Sequence, residues 1–152
     1  MKNVYYEAYT IGKNFLKTQE QNNYFGIQNP SVMFDIDGTL IDYQGYPIKQ
    51  VINLLKLCMK NSLNVIIITA RPISSAQFTE AQLRYFNIDY SVIFYRTTGN
   101  NFKSNIKKGL SELDLNIILS IGDNTVDIEG GYSGFYIKLP NKDDPNLYSD
   151  LI

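Results

Sequence analysis

The chain reads as an α/β protein: an open parallel sheet of about five strands with helices on both faces. Three observations lead there. Short apolar runs alternate with segments whose apolar residues recur at helical spacing. The strongest run, Val65-Ile66-Ile67-Ile68-Thr69, has no polar alternation, the pattern of a parallel strand covered on both sides. Three of the strands stop in Asp, Gly or Thr, residues suited to the point where a buried strand meets solvent.

Tyr5, Ala8, Tyr9, Phe15 and Leu16 predict an amphipathic helix from residue 4 to about 20, followed by a polar Asn- and Gln-rich connector up to Pro30. The first strand spans Ser31 to Ile36. Val51, Leu54, Leu55 and Cys58 fall at i, i+3, i+4 and i+7 and predict a helix from Pro47 to Asn61, with Pro47 in its first turn. After the Val65–Thr69 strand come a helix over 74–86 and a strand from Tyr90 to Phe94. Ile106, Leu110 and Leu113 then mark a helix from Lys103 to Leu113. A fourth strand, Ile117 to Ile121, runs into Gly122-Asp123, and a last short strand covers Phe135 to Leu139. The polar segment 17–30 and the tail from Pro140 carry no pattern that chooses between packing and disorder.

With 152 residues, 44% hydrophobic and 19% charged, the chain is expected to fold as one domain, residues 1–152, of which 1–30 form an N-terminal helix and connector. A net charge of −1 gives no global basic field for nucleic acid or anionic lipid. There is no histidine, so every mechanism built on an imidazole is excluded. The single cysteine, Cys58, lies on an apolar helix face and cannot form an intramolecular disulfide, which suits a reducing compartment. Lys2, Glu7, Lys13, Lys17 and Glu20 interrupt the first twenty residues, which read neither as a secretory signal nor as a membrane span. A cytoplasmic protein without membrane contact is the expectation.

In an open parallel sheet, ligands sit beyond the carboxyl ends of the strands. There the first strand ends in Asp35-Ile36-Asp37-Gly38-Thr39-Leu40, the second in Thr69-Ala70-Arg71, and the fourth in Gly122-Asp123-Asn124-Thr125-Val126-Asp127. Four acids gathered at one edge repel one another unless a cation neutralises them, and carboxylate oxygens without His or thiolate select Mg²⁺. An Asp-Gly pair after an apolar run is by itself an ordinary turn; the ordered combination gives it weight.

This constellation resembles the haloacid dehalogenase (HAD) superfamily of phosphohydrolases from Val32 to Leu139, and implies its three-layer, Rossmann-like fold. Asp35 to Leu40 match the family's D-x-D-G-T-[LV] motif at every position. The resemblance implies an aspartyl-phosphate mechanism with Asp35 as nucleophile and Asp37 as general acid/base. It makes Thr69 the second-motif hydroxyl and Lys103 the third-motif cation, chosen from Lys103, Lys107 and Lys108, with Lys107 one turn further on as the nearest alternative. Gly122, Asp123 and Asp127 match G-D-x-x-x-D. The implied Mg²⁺ ligands are Asp35, Asp123, the main-chain carbonyl of Asp37, and Asp127 directly or through water. Thr69, Ala70, Arg71 and Lys103 are the expected substrate contacts. Thr69-Ala70-Arg71-Pro72, with the N-terminal helix, resembles the acid-phosphatase and polynucleotide-phosphatase branches.

Residues 41–68 and 70–102 separate the motifs and are already used by predicted helices and strands, so neither gap holds a cap domain of ordinary size, ~50 residues or more. The site is expected to be open. Its phosphorylated substrate is then bulky, a nucleic-acid end or a phosphoprotein, or a small molecule enclosed by a second copy of the chain. For a polynucleotide the basic residues on offer are Arg71, Arg96, Lys103, Lys107 and Lys108. Tyr43 and Tyr46 read as packing their loop, with stacking on substrate as the alternative. Together these residues predict a Mg²⁺-dependent phosphomonoesterase. The alternative is a catalytically silent HAD-fold binding or scaffolding module; a phospho-receiver domain orders its acids differently.

Overall fold

A computed structural model describes residues 3–21 and 26–150. Residues 22–25 of the expected connector and two at each end lie outside the described residues. The elements are α1 (Val4–Gln21), β1 (Pro30–Phe34), α2 (Lys49–Lys60), β2 (Asn64–Ile68), α3 (Ala76–Tyr85), β3 (Val92–Phe94), α4 (Phe102–Glu112), β4 (Asn116–Gly122), α5 (Thr125–Ile128), β5 (Phe135–Lys138) and β6 (Tyr148–Ser149).

The sheet order is β3-β2-β1-β4-β5-β6. The first five strands pair in parallel and β6 lies antiparallel on β5. Strand alternation sends Val32, Phe34, Val65 and Ile67 to one face, where they pack with residues of α1, α2 and α3. Met33, Ile66 and Ile68 point to the other, against Phe102 and Leu110 of α4. Ile66, Ile67 and Ile68 are completely buried, each contributing roughly 1.5–3 kcal/mol on the usual area scale. Burial on both faces is why β2 lacks a polar alternation. Cys58 is fully buried in the first of these cores, and burial pushes its thiol up to about 12.

Three details differ from the expectation. To the five expected strands the structure adds a sixth, because the tail after Pro140 packs back: Tyr136 N–H donates to Asp150 Oδ1 at 2.8 Å and Ser149 Oγ to the Tyr136 carbonyl at 2.9 Å. Two residues are too short a strand to leave a periodic signal. Pro47 is not in the first turn of α2; it bridges Ile41, and the helix begins at Lys49. The segment expected as one helix over 74–86 opens with a 3₁₀ turn, Ile73–Ser75, before α3.

α1 crosses α2 closely at Gly12, where an added Cβ would lie 2.6 Å from a methyl of the buried Leu54. Gly12→Val, which overpacks this contact and places a β-branched residue in the helix, should therefore lower stability by about 1–3 kcal/mol, read as a lower urea midpoint at unchanged slope. An unchanged midpoint would mean that α1 is not held against α2 as described.

Candidate active site

The strand order dictates where side chains can converge. From β1 the chain moves outward to β2 and β3, then returns to β4 on the other side, so the connections after β1 and β4 diverge and leave a crevice at their carboxyl ends. Asp35 follows β1 directly and its N–H donates to the Ile121 carbonyl at 3.1 Å. Asp123 follows β4, and Thr69 follows β2.

After Asp35 the chain turns tightly: the Ile36 carbonyl accepts from the N–H groups of Thr39, Leu40 and Ile41 at 2.9–3.1 Å. Gly38 sits in this turn at φ +79°, a left-handed conformation that favours glycine. It also has no room for a side chain, since a Cβ there would strike the Asp123 carboxylate and the Tyr43 ring. At the other motif a Cβ on Gly122 would strike Asp127.

Three carboxylates meet under the crevice. Asp35, Asp123 and Asp127 are all buried, and one oxygen from each lies within 4.8 Å of the others. Lys103 enters from the start of α4 at 3% exposure and donates to Asp35 Oδ1 at 2.9 Å and to Asp127 Oδ1. The other Asp127 oxygen accepts from Asn124 N–H at 3.1 Å, half of a reciprocal capping box that starts α5. Burial pushes the Asp35 carboxyl up to about 6 and that of Asp127 up to about 7, despite the opposing pull of Lys103. Asp123 is raised too, chiefly by burial. Burial would drive the Lys103 ammonium down, but Asp35 and Asp127 outweigh it and hold the group above its ordinary range. Three acids therefore crowd one lysine, with net negative charge left over.

Asp37 goes elsewhere. Arg71 grips it bidentately, Nε on Oδ2 at 3.0 Å and Nη2 on Oδ1 at 2.7 Å, and Arg71 is itself held by Thr79 Oγ1 at 3.1 Å and Gln82 Oε1 at 2.8 Å from α3. Arg71, expected on position to touch substrate, instead spends its guanidinium on this acid. Thr69 is fully buried; its hydroxyl accepts from Arg71 N–H at 3.1 Å, which leaves its own proton to donate. Ala70 is exposed at the rim. The partnership of Asp37 with Arg71, and of Arg71 with Thr79 and Gln82, has no signal in the sequence because it depends on where α3 packs.

Of the two candidate lysines, Lys103 reaches Asp35. Lys107 is buried one turn behind and bonds Ser120, Ser133 and the Asp127 carbonyl. The basic surface offered to a polynucleotide shrinks accordingly: Lys103 and Lys107 are buried and Arg71 is paired, leaving Arg96 and Lys108 exposed. Tyr43 and Tyr46 are 69% and 64% exposed; the Tyr43 ring lies against Gly38 of the loop and its hydroxyl donates to Asp123 Oδ2 at 2.6 Å. Asn141 Nδ2 donates to the Asp123 carbonyl at 2.5 Å, a contact brought in by the tail. Tyr43, Asn124, Asn141, Lys142 and Asp143 line a cavity of about 430 Å³ beside Asp123. A larger cavity, about 660 Å³, opens where β4 and β5 begin, at the opposite end of the sheet from these acids.

The cluster fits a hard divalent cation. Its donors are all oxygens, its charge exceeds what Lys103 neutralises, and Asp123 and Asp127 each lie against a glycine where a Cβ would strike the carboxylate.

A family model described as HAD superfamily, subfamily IIIB (acid phosphatase), matches residues 46–144. The chain belongs to this family. The matched span includes Thr69, Lys103, Asp123 and Asp127 and begins after Asp35 and Asp37, whose assignment rests on their own motif and on the geometry above. Among solved structures, the class C acid phosphatase from Bacillus anthracis superposes with a TM-score of 0.69 at 20% identity, over 83% of this chain and 64% of that one. A chain of the Pnkp1/Rnl/Hen1 complex superposes with a TM-score of 0.54 at 26% identity, over 65% of this chain and 40% of that one. The chain thus spans less than two thirds of the length of either relative. No curated protein matches the sequence.

The raised carboxyls carry a sign that can be measured without metal. A carboxyl whose folded pKa lies above its unfolded value binds more protons when folded, so its contribution to stability is present at low pH and is lost as pH rises toward the folded value. For Asp127 that window runs from about 4 to about 7. In EDTA, Asp127→Asn should gain stability relative to wild type across this window, as read by urea midpoints at each pH. A flat difference would show that Asp127 is not destabilised by burial.

Proposed function

We propose that this protein is a Mg²⁺-dependent phosphomonoester hydrolase working through an aspartyl-phosphate on Asp35. The observation that carries the reading is the split of the first-motif acids. Asp35 is buried among Asp123, Asp127 and Lys103, whereas Asp37, two residues on, is held apart by Arg71. The split suits Asp35 to bond to phosphorus and Asp37 to move a proton.

In this reading Asp35, Asp123 and the Asp37 carbonyl, with Asp127 directly or through water, would hold Mg²⁺, which when bound would screen the repulsion between a carboxylate and a phosphate dianion and polarise the phosphoryl oxygens. An Asp35 oxygen attacks phosphorus while the bond to the leaving oxygen breaks, and Asp37 delivers the proton that oxygen needs. Water then attacks the acyl phosphate, Asp37 takes its proton, and free phosphate and the Asp35 carboxylate are regenerated. Lys103 and the Thr69 hydroxyl face the charge that develops on the phosphoryl oxygens. Arg71 acts through Asp37, fixing its orientation.

The rim of the crevice is open. Residues 41–68 are spent on a loop, α2 and β2, and residues 70–102 on a turn, α3 and β3, so the chain itself supplies no cap between the motifs. A phosphorylated nucleic-acid end, a phosphoprotein, or a small phosphomonoester covered by a second copy all suit such a mouth. We read residues 1–152 as one unit. Among the described residues no helix is long and apolar enough to cross a membrane, and a lone buried thiol accords with a cytoplasmic setting.

Hydrolysis of p-nitrophenyl phosphate tests the mechanism. Wild type should turn over with Mg²⁺ and stop in EDTA; Asp35→Asn should abolish turnover, and Asp37→Asn should reduce kcat by about 10²–10⁴. Full activity in Asp35→Asn would sink the mechanism, and no turnover of wild type in any divalent metal would favour the silent binding module. Arg71→Ala separates two roles for that residue: acting through Asp37 it lowers kcat at nearly constant KM, whereas a direct substrate contact would raise KM.

A further inference from the structure

The mechanism leaves two buried cations, Lys107 and Lys138, without a task; Lys138 pairs with Asp144 at 3.6 Å. Lys107 is 1% exposed, yet its Nζ bonds no carboxylate. A buried ammonium persists only if its protons are satisfied, and here each has an acceptor: Ser120 Oγ at 3.1 Å, the Asp127 carbonyl at 2.5 Å and Ser133 Oγ at 2.9 Å. The two hydroxyls are held in turn, Ser120 donating to the Ser133 carbonyl at 2.7 Å and Ser133 to the Glu129 carbonyl at 2.8 Å. One ammonium thus ties together α4, β4, α5 and the loop leading to β5.

What these bonds hold in place is the segment carrying two of the clustered acids. α5 has four residues, far too few to be stable without outside support, and it connects to β4 through Asp123 and Asn124. Asp127 is pinned at both ends: its carboxylate by Lys103 and Asn124 N–H, its carbonyl by Lys107. Ser120 anchors the same ammonium to β4 three residues before Asp123. If packing were all that mattered, an apolar side chain of similar length would fill this space without the cost of desolvating a charge.

We propose that Lys107 is a positioning residue for the metal-binding acids, locking α5 against the end of β4 and so setting the separation of Asp123 and Asp127. The inference rests on the reading of Asp35, Asp123 and Asp127 as a Mg²⁺ site. It assigns Lys107 a place in metal binding, distinct from the substrate-facing place of Lys103.

The test is the Mg²⁺ affinity of the full-length chain, measured by titration calorimetry, for wild type, Lys107→Met and Ser133→Ala, with far-UV circular dichroism to establish folding. Support requires that folded Lys107→Met bind Mg²⁺ at least about tenfold more weakly than wild type, the range expected when a residue behind a ligand is lost. The Mg²⁺ concentration that half-activates hydrolysis should shift in parallel, with turnover partly restored at saturation. A Lys107→Met protein that melts earlier but binds Mg²⁺ within about twofold of wild type overturns the proposal and leaves Lys107 a structural residue. If Lys107→Met does not fold, Ser133→Ala decides, since it keeps the cation and removes one acceptor: weakened Mg²⁺ binding supports the proposal and unchanged binding overturns it. A wild type that binds no Mg²⁺ overturns the metal-site reading itself, a different outcome from wild-type binding that Lys107→Met retains.

Discussion

The structure around the crevice depends on keeping three carboxylates together out of water. Asp35, Asp123 and Asp127 come from two strands and a short helix, and left to themselves they would separate or take up protons; burial raises all three carboxyls. Lys103 is the internal counter-charge, bonded to two of them from the start of α4. The rest of the neighbourhood serves this arrangement. Gly38 and Gly122 surrender their side chains so that Asp123 and Asp127 fit, the Asn124 cap takes one Asp127 oxygen, and the Tyr43 hydroxyl and the Asn141 amide bond Asp123. An edge this negative is costly without a cation and well suited to one.

The second organising contact is the Arg71–Asp37 pair. Two acids only two residues apart in sequence have opposite surroundings because the chain reverses between them: Ile36 starts a turn closed by three N–H groups on its carbonyl. Asp35 continues the strand ladder and faces the acids, while Asp37 leaves it and meets a guanidinium braced by α3. The two acids are therefore not interchangeable, as the proposed division between nucleophile and proton carrier requires.

The parallel sheet brings these parts together at modest cost in chain length. Because β1 and β4 are neighbours with diverging connections, everything at their carboxyl ends converges without an inserted domain. The price is an unroofed mouth, edged by Tyr43, Asn124 and Asn141 on one side and by exposed Ala70 on the other.

The fold class, the order of the strands along the chain and the motif residues at their ends were legible in the amino-acid order, since hydrophobic period and turn residues are local properties. Val65–Thr69 announces a buried strand, and Asp35 to Leu40 announce the turn that follows one. The Asn124–Asp127 capping box was also written locally, in a segment too short to show a helical period. Partner choice was not local. That Lys103 rather than Lys107 reaches Asp35, that Arg71 turns onto Asp37, and that Asn141 returns to Asp123 depend on how helices and tail pack on the sheet. Residues far apart in the chain meet there because burying their apolar neighbours leaves each polar group only a few partners within reach, and tertiary packing decides which.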